Sequence, residues 1–308
     1  MTMLGYAARR ILWMIPLLWA VATVTFFLMH AVPGGPFSRQ AEKAPPSVIE
    51  ALERQHNLDE PIWKQYLLYL WDLLHFDLGI AFTRAQSVST IISEGIVVSA
   101  QLGLVAFAVA VVVGMSLGIT SALNQNGPLD YIGVFFATVG AAMPNFILAT
   151  FLVIVFAVNL GWFDVLGWEF GNYKKMVLPV TALAVLPAAY IARVTRASVL
   201  EVFRQDYIRT ARAKGLAEYV VVLRHTIKNA LIPVLTVLGP IFAVLITGSF
   251  IVERIFQING IGRRFVDAVF NRDYGLIMGT TLFYAFVVAF ANLIVDLLYG
   301  VVDPRIRY

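Results

Sequence analysis

The chain has 308 residues, 59% of them hydrophobic and only 14% charged, with a net charge of +4 and no cysteine. An ordinary soluble domain is about 45–50% apolar and about 25% charged, so the charges are too few to cover a water-facing surface, and disulfide frameworks and thiolate metal sites are excluded. On a chain of mean hydropathy +0.78, an excess of bases points to the cytosolic side of a membrane rather than to nucleic acid.

An ionised side chain at the bilayer centre costs roughly 2.5–3.5 kcal/mol on insertion scales, so stretches without Asp, Glu, Lys or Arg mark candidate spans. Six occur, at 11–38, 95–129, 131–163, 176–192, 229–252 and 274–295. Each holds most or all of the roughly 20 residues that cross a ~30 Å core. The expected helices lie near 11–31, 100–123, 132–158, 177–199, 229–251 and 277–301, which makes the chain an all-α polytopic membrane protein with one membrane domain over 1–308. The first span follows Arg9-Arg10 as a signal peptide would, but its apolar run exceeds the usual ~7–15 residues and no A-x-A site follows. It reads as a retained anchor.

Between the first two spans, 32–99 reads as an extracytoplasmic subdomain. Pro33-Gly34-Gly35-Pro36 stops the first helix, since proline lacks an N–H and glycine favours turns. From Pro46-Ser47 onward a helical pattern carries Trp63, Tyr66, Tyr69, Trp71 and Phe76, and two short amphipathic helices on the outer face are expected. Two roles fit them: a cap or docking surface for a binding protein, or a plain cover for helix ends.

In the third span Met143-Pro144-Asn145 predicts a kink, with Asn145 satisfying a freed carbonyl; a gating bend and a packing kink both fit. In the fourth, Arg193 and Arg196 follow a short apolar run and are expected to snorkel as the helix enters the cytosol. The basic loop over 200–228 then carries a helical run that stops at Gly215. Thr210, Ala211 and Ala213 offer it a small-residue face for close approach, while Arg209, Arg212 and Lys214 keep it in water. A docking helix and a basic helix drawn to anionic lipid both satisfy that pattern. With the N-terminus inside, this densest basic segment and the C-terminus are also cytoplasmic.

Gly260-Ile261-Gly262 permits a tight turn between the fifth and sixth spans. On the last helix Asn292, Asp296, Tyr299 and Asp303 share one face, and that face cannot look at lipid cheaply. Asp296 either lines a path or makes a structural bond, to another helix or to Arg193 or Arg196.

DYIRTARAKGL at 206–216 and LRHTIKNALIPVLT at 223–236 closely resemble the EAA loop of ABC importer permeases, in the form typical of dipeptide and oligopeptide systems. The resemblance continues through PGGPF at 33–37, YLLYLWDLLHFDLG at 66–79, INGIG at 258–262, NRDYGLI at 271–277 and VDPRIRY at 302–308. Two departures stand out: Arg209 occupies the place of the general pattern's Glu, and Gly215 lies further from Pro233 than in many permeases. They speak against sugar-type systems more than against peptide systems.

The resemblance implies a type I ABC importer permease fold with an extracytoplasmic helical loop between helices 1 and 2. It implies a coupling helix formed by Tyr207, Arg209, Thr210, Ala211, Ala213, Lys214, Gly215 and Leu216, and it assigns Gly260 and Gly262 to an external gate or a plain connector. Pro144, Asn145, Asn292 and Asp296 remain candidates for the translocation path. The implied partners are a second homologous permease subunit, two cytoplasmic ATPase subunits that use ATP-Mg, and an extracytoplasmic peptide-binding protein. The setting is a bacterial or archaeal cytoplasmic membrane, with no cofactor bound directly and no nucleic acid. No G-x-x-x-x-G-K-[ST], H-E-x-x-H or G-x-S-x-G occurs, so neither a phosphate-cradling loop nor these catalytic motifs reside here. An ion-coupled secondary transporter, and nickel-chelate or glutathione cargo, are the alternatives.

Overall fold

The structure is a computed structural model that describes residues 3–37 and 45–302. Helix α1 (Met3–Ala31) leads to two outer helices, α2 (Pro46–Gln55) and α3 (Ile62–Leu74), and to a short hairpin, β1 (Ile80–Ala81) with β2 (Gln86–Ser87). Then follow α4 (Val88–Leu123), α5 (Pro128–Ala142) and α6 (Asn145–Leu152), which widens into a π-helical turn over Val153–Asn159. The chain continues through α7 (Tyr173–Phe203), α8 (Asp206–Ala213), α9 (Glu218–Val220) and a second π-helical turn (Val221–Ile227) into α10 (Lys228–Ile246). Two short helices, α11 (Phe250–Ile255) and α12 (Ile261–Asn271), precede α13 (Tyr274–Val302).

Five stretches among the described residues are long and apolar enough to span a membrane, and α5 with α6 forms a sixth bent by 105°. The break follows from the sequence. Proline at 144 disfavours helical geometry at the residue before it, and Met143 is extended, with φ −88° and ψ 118°.

The bent pair crosses the whole layer. Asp130 at its start is bound to Arg196 of α7, and the Asp164 N–H beyond its end donates to the Lys174 carbonyl at 3.1 Å. Lys174 and Arg196 lie on one helix about 33 Å apart at 1.5 Å per residue. Six crossings therefore return the chain to its starting face, and Arg10 of α1 meets Asp296 of α13 there at 2.8 Å. That terminal face also holds the turn before α5 and the segment containing α8. The opposite cap face holds α2, α3, the hairpin, α11 and α12.

The core sits between α4, α7 and α10. Ala106, Ala110, Gly114, Gly118 and Ala122 recur every four residues along α4, and all are buried. A Cβ on Gly114 would come within 2.7 Å of the Ala188 carbonyl oxygen, and one on Gly118 within 2.6 Å of that of Ala192. Close backbone approach of this kind is how helices associate in lipid, where no hydrophobic drive operates between them. The rising numbers on both sides show that α4 and α7 run parallel.

Two expectations are corrected. Helix α4 begins at Val88, well before 100, because Glu94 is tied to Arg264 of α12 at 3.1 Å instead of ending the helix. Arg196 does not snorkel: it grips Asp130 with two 2.7 Å hydrogen bonds.

Candidate functional site

The segment after α7 is an elbow built by its own side chains. Helix α8 ends in a Schellman motif, with the Gly215 N–H donating to the Arg212 carbonyl at 2.9 Å and the Leu216 N–H to that of Ala211 at 3.4 Å. The left-handed turn requires glycine, and Gly215 has φ +74°. Arg212 then reaches across to Glu218 with hydrogen bonds of 2.6 and 3.1 Å, closing α8 against α9. That bond holds the Arg212 guanidinium above its ordinary value, with burial opposing it.

Ile208 is fully buried and Ala211 is 6% exposed; together they seat α8 on Val221, Val202 and Phe203. Ala211 thus belongs to the inner face, and the small-residue face expected from Thr210, Ala211 and Ala213 is corrected to that extent. Tyr207 at 44% and Leu216 at 40% remain exposed with Thr210, Ala213, Lys214 and Gly215. Arg209 is exposed beside Asp206 at 3.6 Å, a pairing worth little in solvent. A Cβ at Gly215 would meet nothing within 4 Å, so its outer side is open. Beyond α9 the buried Thr226 hydroxyl donates to the Val221 carbonyl at 3.2 Å inside the widened turn. The elbow is therefore joined to spanning helix α10 without a loop.

On the cap face Gly260 and Gly262 surround a carboxylate that the sequence reading treated only as the end of the fifth span. Glu253 is fully buried and accepts from the Ser99 hydroxyl at 2.8 Å and the Arg263 N–H at 3.0 Å. Ser99 in turn accepts from the Ile261 N–H at 2.9 Å. A Cβ on Gly260 would overlap both Glu253 and Ser99, and one on Gly262 would press the Glu253 carboxylate at 3.0 Å. These glycines let a backbone turn close over a buried carboxyl group and tie α4 to α12.

Asp273 makes a second tie, which the sequence reading also missed. Buried at 2% exposure, it accepts from the N–H groups of Phe82 at 3.0 Å, Thr83 at 2.9 Å and Leu276 at 3.2 Å. It caps α13 and pins the hairpin together. Arg272 donates to the Pro33 carbonyl at 2.9 Å, and the Tyr274 hydroxyl to that of Gly34 at 3.1 Å, so PGGPF and NRDYGLI meet in space.

Pro144 sits at the bend of the broken span. The Asn145 side-chain oxygen, an acceptor, is buried without a hydrogen-bond partner among the described residues. Asn292 lies with Arg10 and Trp13 in a shallow cleft between α1 and α13. Asp296 is bound to Arg10 of α1, the structural bond to another helix that the sequence allowed. Tyr299 has no described side chain, and Asp303 and the rest of the terminal motif lie outside the described residues. The structure thus gathers Asn292 and Asp296 at one helix pair, Gly260 and Gly262 at the cap, and Pro144 and Asn145 at the bend, as three separate places.

Sequence comparison gives this architecture a family. The model of the binding-protein-dependent transport system inner membrane component matches residues 110–308, and the N-terminal model of the same kind of membrane component matches 3–77. The chain belongs to this permease family. Among its relatives, the oligopeptide transport system permease protein OppB of Haemophilus influenzae is 44% identical over 308 residues, covering 99% of this chain and all of the relative. The dipeptide transport system permease protein DppB of Bacillus subtilis is 44% identical over 306 residues, covering 99% and 98%. Among solved structures, an amino acid ABC transporter superposes with a TM-score of 0.55 at 18% identity, covering 69% of this permease and 94% of that chain. The inward-facing MetNI methionine ABC transporter gives 0.56 at 16% identity, covering 70% and 97%. At those identities the likeness establishes a shared fold, and it leaves about 30% of the permease unmatched.

Proposed function

We propose that this permease moves dipeptides or oligopeptides across a cytoplasmic membrane, and that α8 is the element through which separate ATPase subunits drive it. The full-length identity to permeases named for dipeptide and oligopeptide transport supports the cargo class. One observation carries the mechanism: an exposed helix, seated through Ile208 and Ala211 and closed by the Arg212 pair with Glu218 against α9, which itself runs through a π-helical turn into spanning helix α10 without a break. Force applied to such an elbow passes into the membrane without a flexible joint to absorb it.

The terminal face carries Arg9, Arg10, Arg193, Arg196, Arg204, Arg209, Arg212, Lys214, Arg224 and Lys228. Counted over shorter loops, where the opposite face has only Lys174, Lys175, Arg254, Arg263, Arg264 and Arg272, the positive-inside rule supports reading it as the cytosolic face, with both termini inside. A second related permease completes the translocation path, an external binding protein delivers the cargo to the cap face, and ATP-Mg is bound and hydrolysed by the partner ATPases.

The test uses the chain assembled with its partner permease and ATPases in proteoliposomes. Gly215→Trp is expected to lower ATP-driven peptide uptake at least tenfold while the amount of inserted permease and the basal hydrolysis rate stay unchanged. Left-handed geometry costs a non-glycine residue about 1–2 kcal/mol, and the site is open outward, so the loss reports the missing contact rather than unfolding. Uptake at the normal rate, or uptake by this chain alone driven by an ion gradient, sinks the reading.

A further inference from the structure

Two cavities lie one above the other between the same three helices, α1, α3 and α13. The deeper, about 660 Å³, has only apolar residues in its walls, among them Trp19 and Ala22 of α1, Leu73 of α3, and Phe283 and Phe286 of α13. Ala22 and Trp19 lie about 14 and 18 Å below the end of α1 at Ala31, by helix rise, in the middle of a roughly 30 Å hydrocarbon core. The shallower, about 270 Å³, is lined by His30, His56, Gln65, Tyr69, Asp72 and Asp77 at the end of α1, where headgroups lie. Leu78 lines both cavities.

The upper cavity is lined by polar side chains whose own bonds are laid out in order. The His30 ring nitrogens lie 2.8 Å from the Phe26 carbonyl oxygen and 3.0 Å from Gln65 Oε1. The Gln65 amide nitrogen donates to the Leu58 and Glu60 carbonyls, which turns its oxygen toward His30. Asp72 and Asp77 add two carboxyl groups to the same lining. Burial first, and then the neighbouring Asp77, push the Asp72 carboxyl above the usual carboxylate range, with His75 opposing. Tyr69 adds a buried hydroxyl oxygen without a hydrogen-bond partner among the described residues.

We propose that these stacked cavities hold one phospholipid with a primary-amine headgroup, its ammonium against Asp72, Asp77 and the Tyr69 oxygen, and an acyl chain in the apolar cavity beneath α3. The walls at mid-bilayer depth favour an acyl chain over a peptide, whose backbone would find no partners there. A primary ammonium brings N–H donors that an unpartnered Tyr69 oxygen and two carboxylates can accept; a quaternary choline headgroup has none.

The experiment is native mass spectrometry of the full chain in its transporter complex, after equilibration with vesicles of equimolar dioleoyl phosphatidylethanolamine, phosphatidylcholine and phosphatidylglycerol. Wild type is expected to retain one phosphatidylethanolamine per chain, at least tenfold in preference to phosphatidylcholine. Asp72→Asn combined with Asp77→Asn, near-isosteric changes at exposed positions, is expected to bring that preference within twofold while a lipid is still retained. Leu73→Trp, which fills the lower cavity, is expected to remove the retained lipid of every class. The proposal is overturned if wild type retains no lipid or holds the three equally, if it prefers phosphatidylglycerol, or if the double Asn variant keeps its preference. It is equally overturned if Leu73→Trp leaves retention unchanged.

Discussion

Single polar atoms decide how the cap is closed. Ser99 donates to the Glu253 carboxylate and accepts the Ile261 N–H, so one hydroxyl joins three elements. Removing it takes one donor from the buried Glu253 carboxyl group and leaves the buried Ile261 N–H without its acceptor, and an orphaned buried group costs about 1–3 kcal/mol. Ser99→Ala is therefore expected to destabilise the cap by at least that amount, visible as a lowered thermal unfolding midpoint in detergent and faster hydrogen exchange at Ile261. Glu253→Ala should cost more, since it also strands the Arg263 N–H, and the double variant should cost less than the sum of the two single ones. Fully additive losses, or unchanged exchange at Ile261, contradict the knot.

At the scale of elements, the spans were legible from residues alone because lipid penalises every stray charge, and the break at Met143-Pro144 was legible because proline restricts its predecessor. The stop of α8 was legible at Gly215 for a similar local reason. What composition could not convey was which buried group answers which, since Glu253 meets Ser99 across 154 positions and Asp273 meets Phe82 across 191. A charge read only as a limit on lipid exposure hides both its role as a tie and, as Glu94 shows, the true start of α4. For Asp296 the sequence offered a bond to another helix or to Arg193 or Arg196 without choosing between them, because pairing is a property of helix arrangement. Its actual bond to Arg10 joins the first and last spans, and a double-mutant cycle of Arg10→Ala and Asp296→Ala in the assembled transporter should return a coupling of about 0.5–3 kcal/mol in unfolding free energy. Arg10 is 48% exposed and Asp296 23% in the single chain, so solvent screening places the expected value toward the lower end. Additive single effects would leave α1 and α13 held by side-chain packing alone.

For the whole molecule, everything about sidedness depends on the bent pair counting as one crossing. If α5 and α6 turned back within the bilayer, Asn124 and Trp162 would share a face. The Asp130 bond to Arg196 and the backbone bond from Asp164 to Lys174 put them at opposite ends of α7. The absence of native cysteine makes this directly measurable. Single replacements Asn124→Cys, Trp162→Cys, Tyr207→Cys and Phe170→Cys supply one thiol each, at exposed positions where no core packing is lost. In intact cells a membrane-impermeant maleimide is expected to label the thiols at 162 and 170 but to reach those at 124 and 207 only after permeabilisation. Labelling of 124 and 162 from the same side would reduce the crossings to five and send α1 and α13 to opposite faces. Arg10 and Asp296 could not then meet at 2.8 Å, so a single pattern of four labels tests the crossing, the sidedness of α8 and the bond between the terminal helices together.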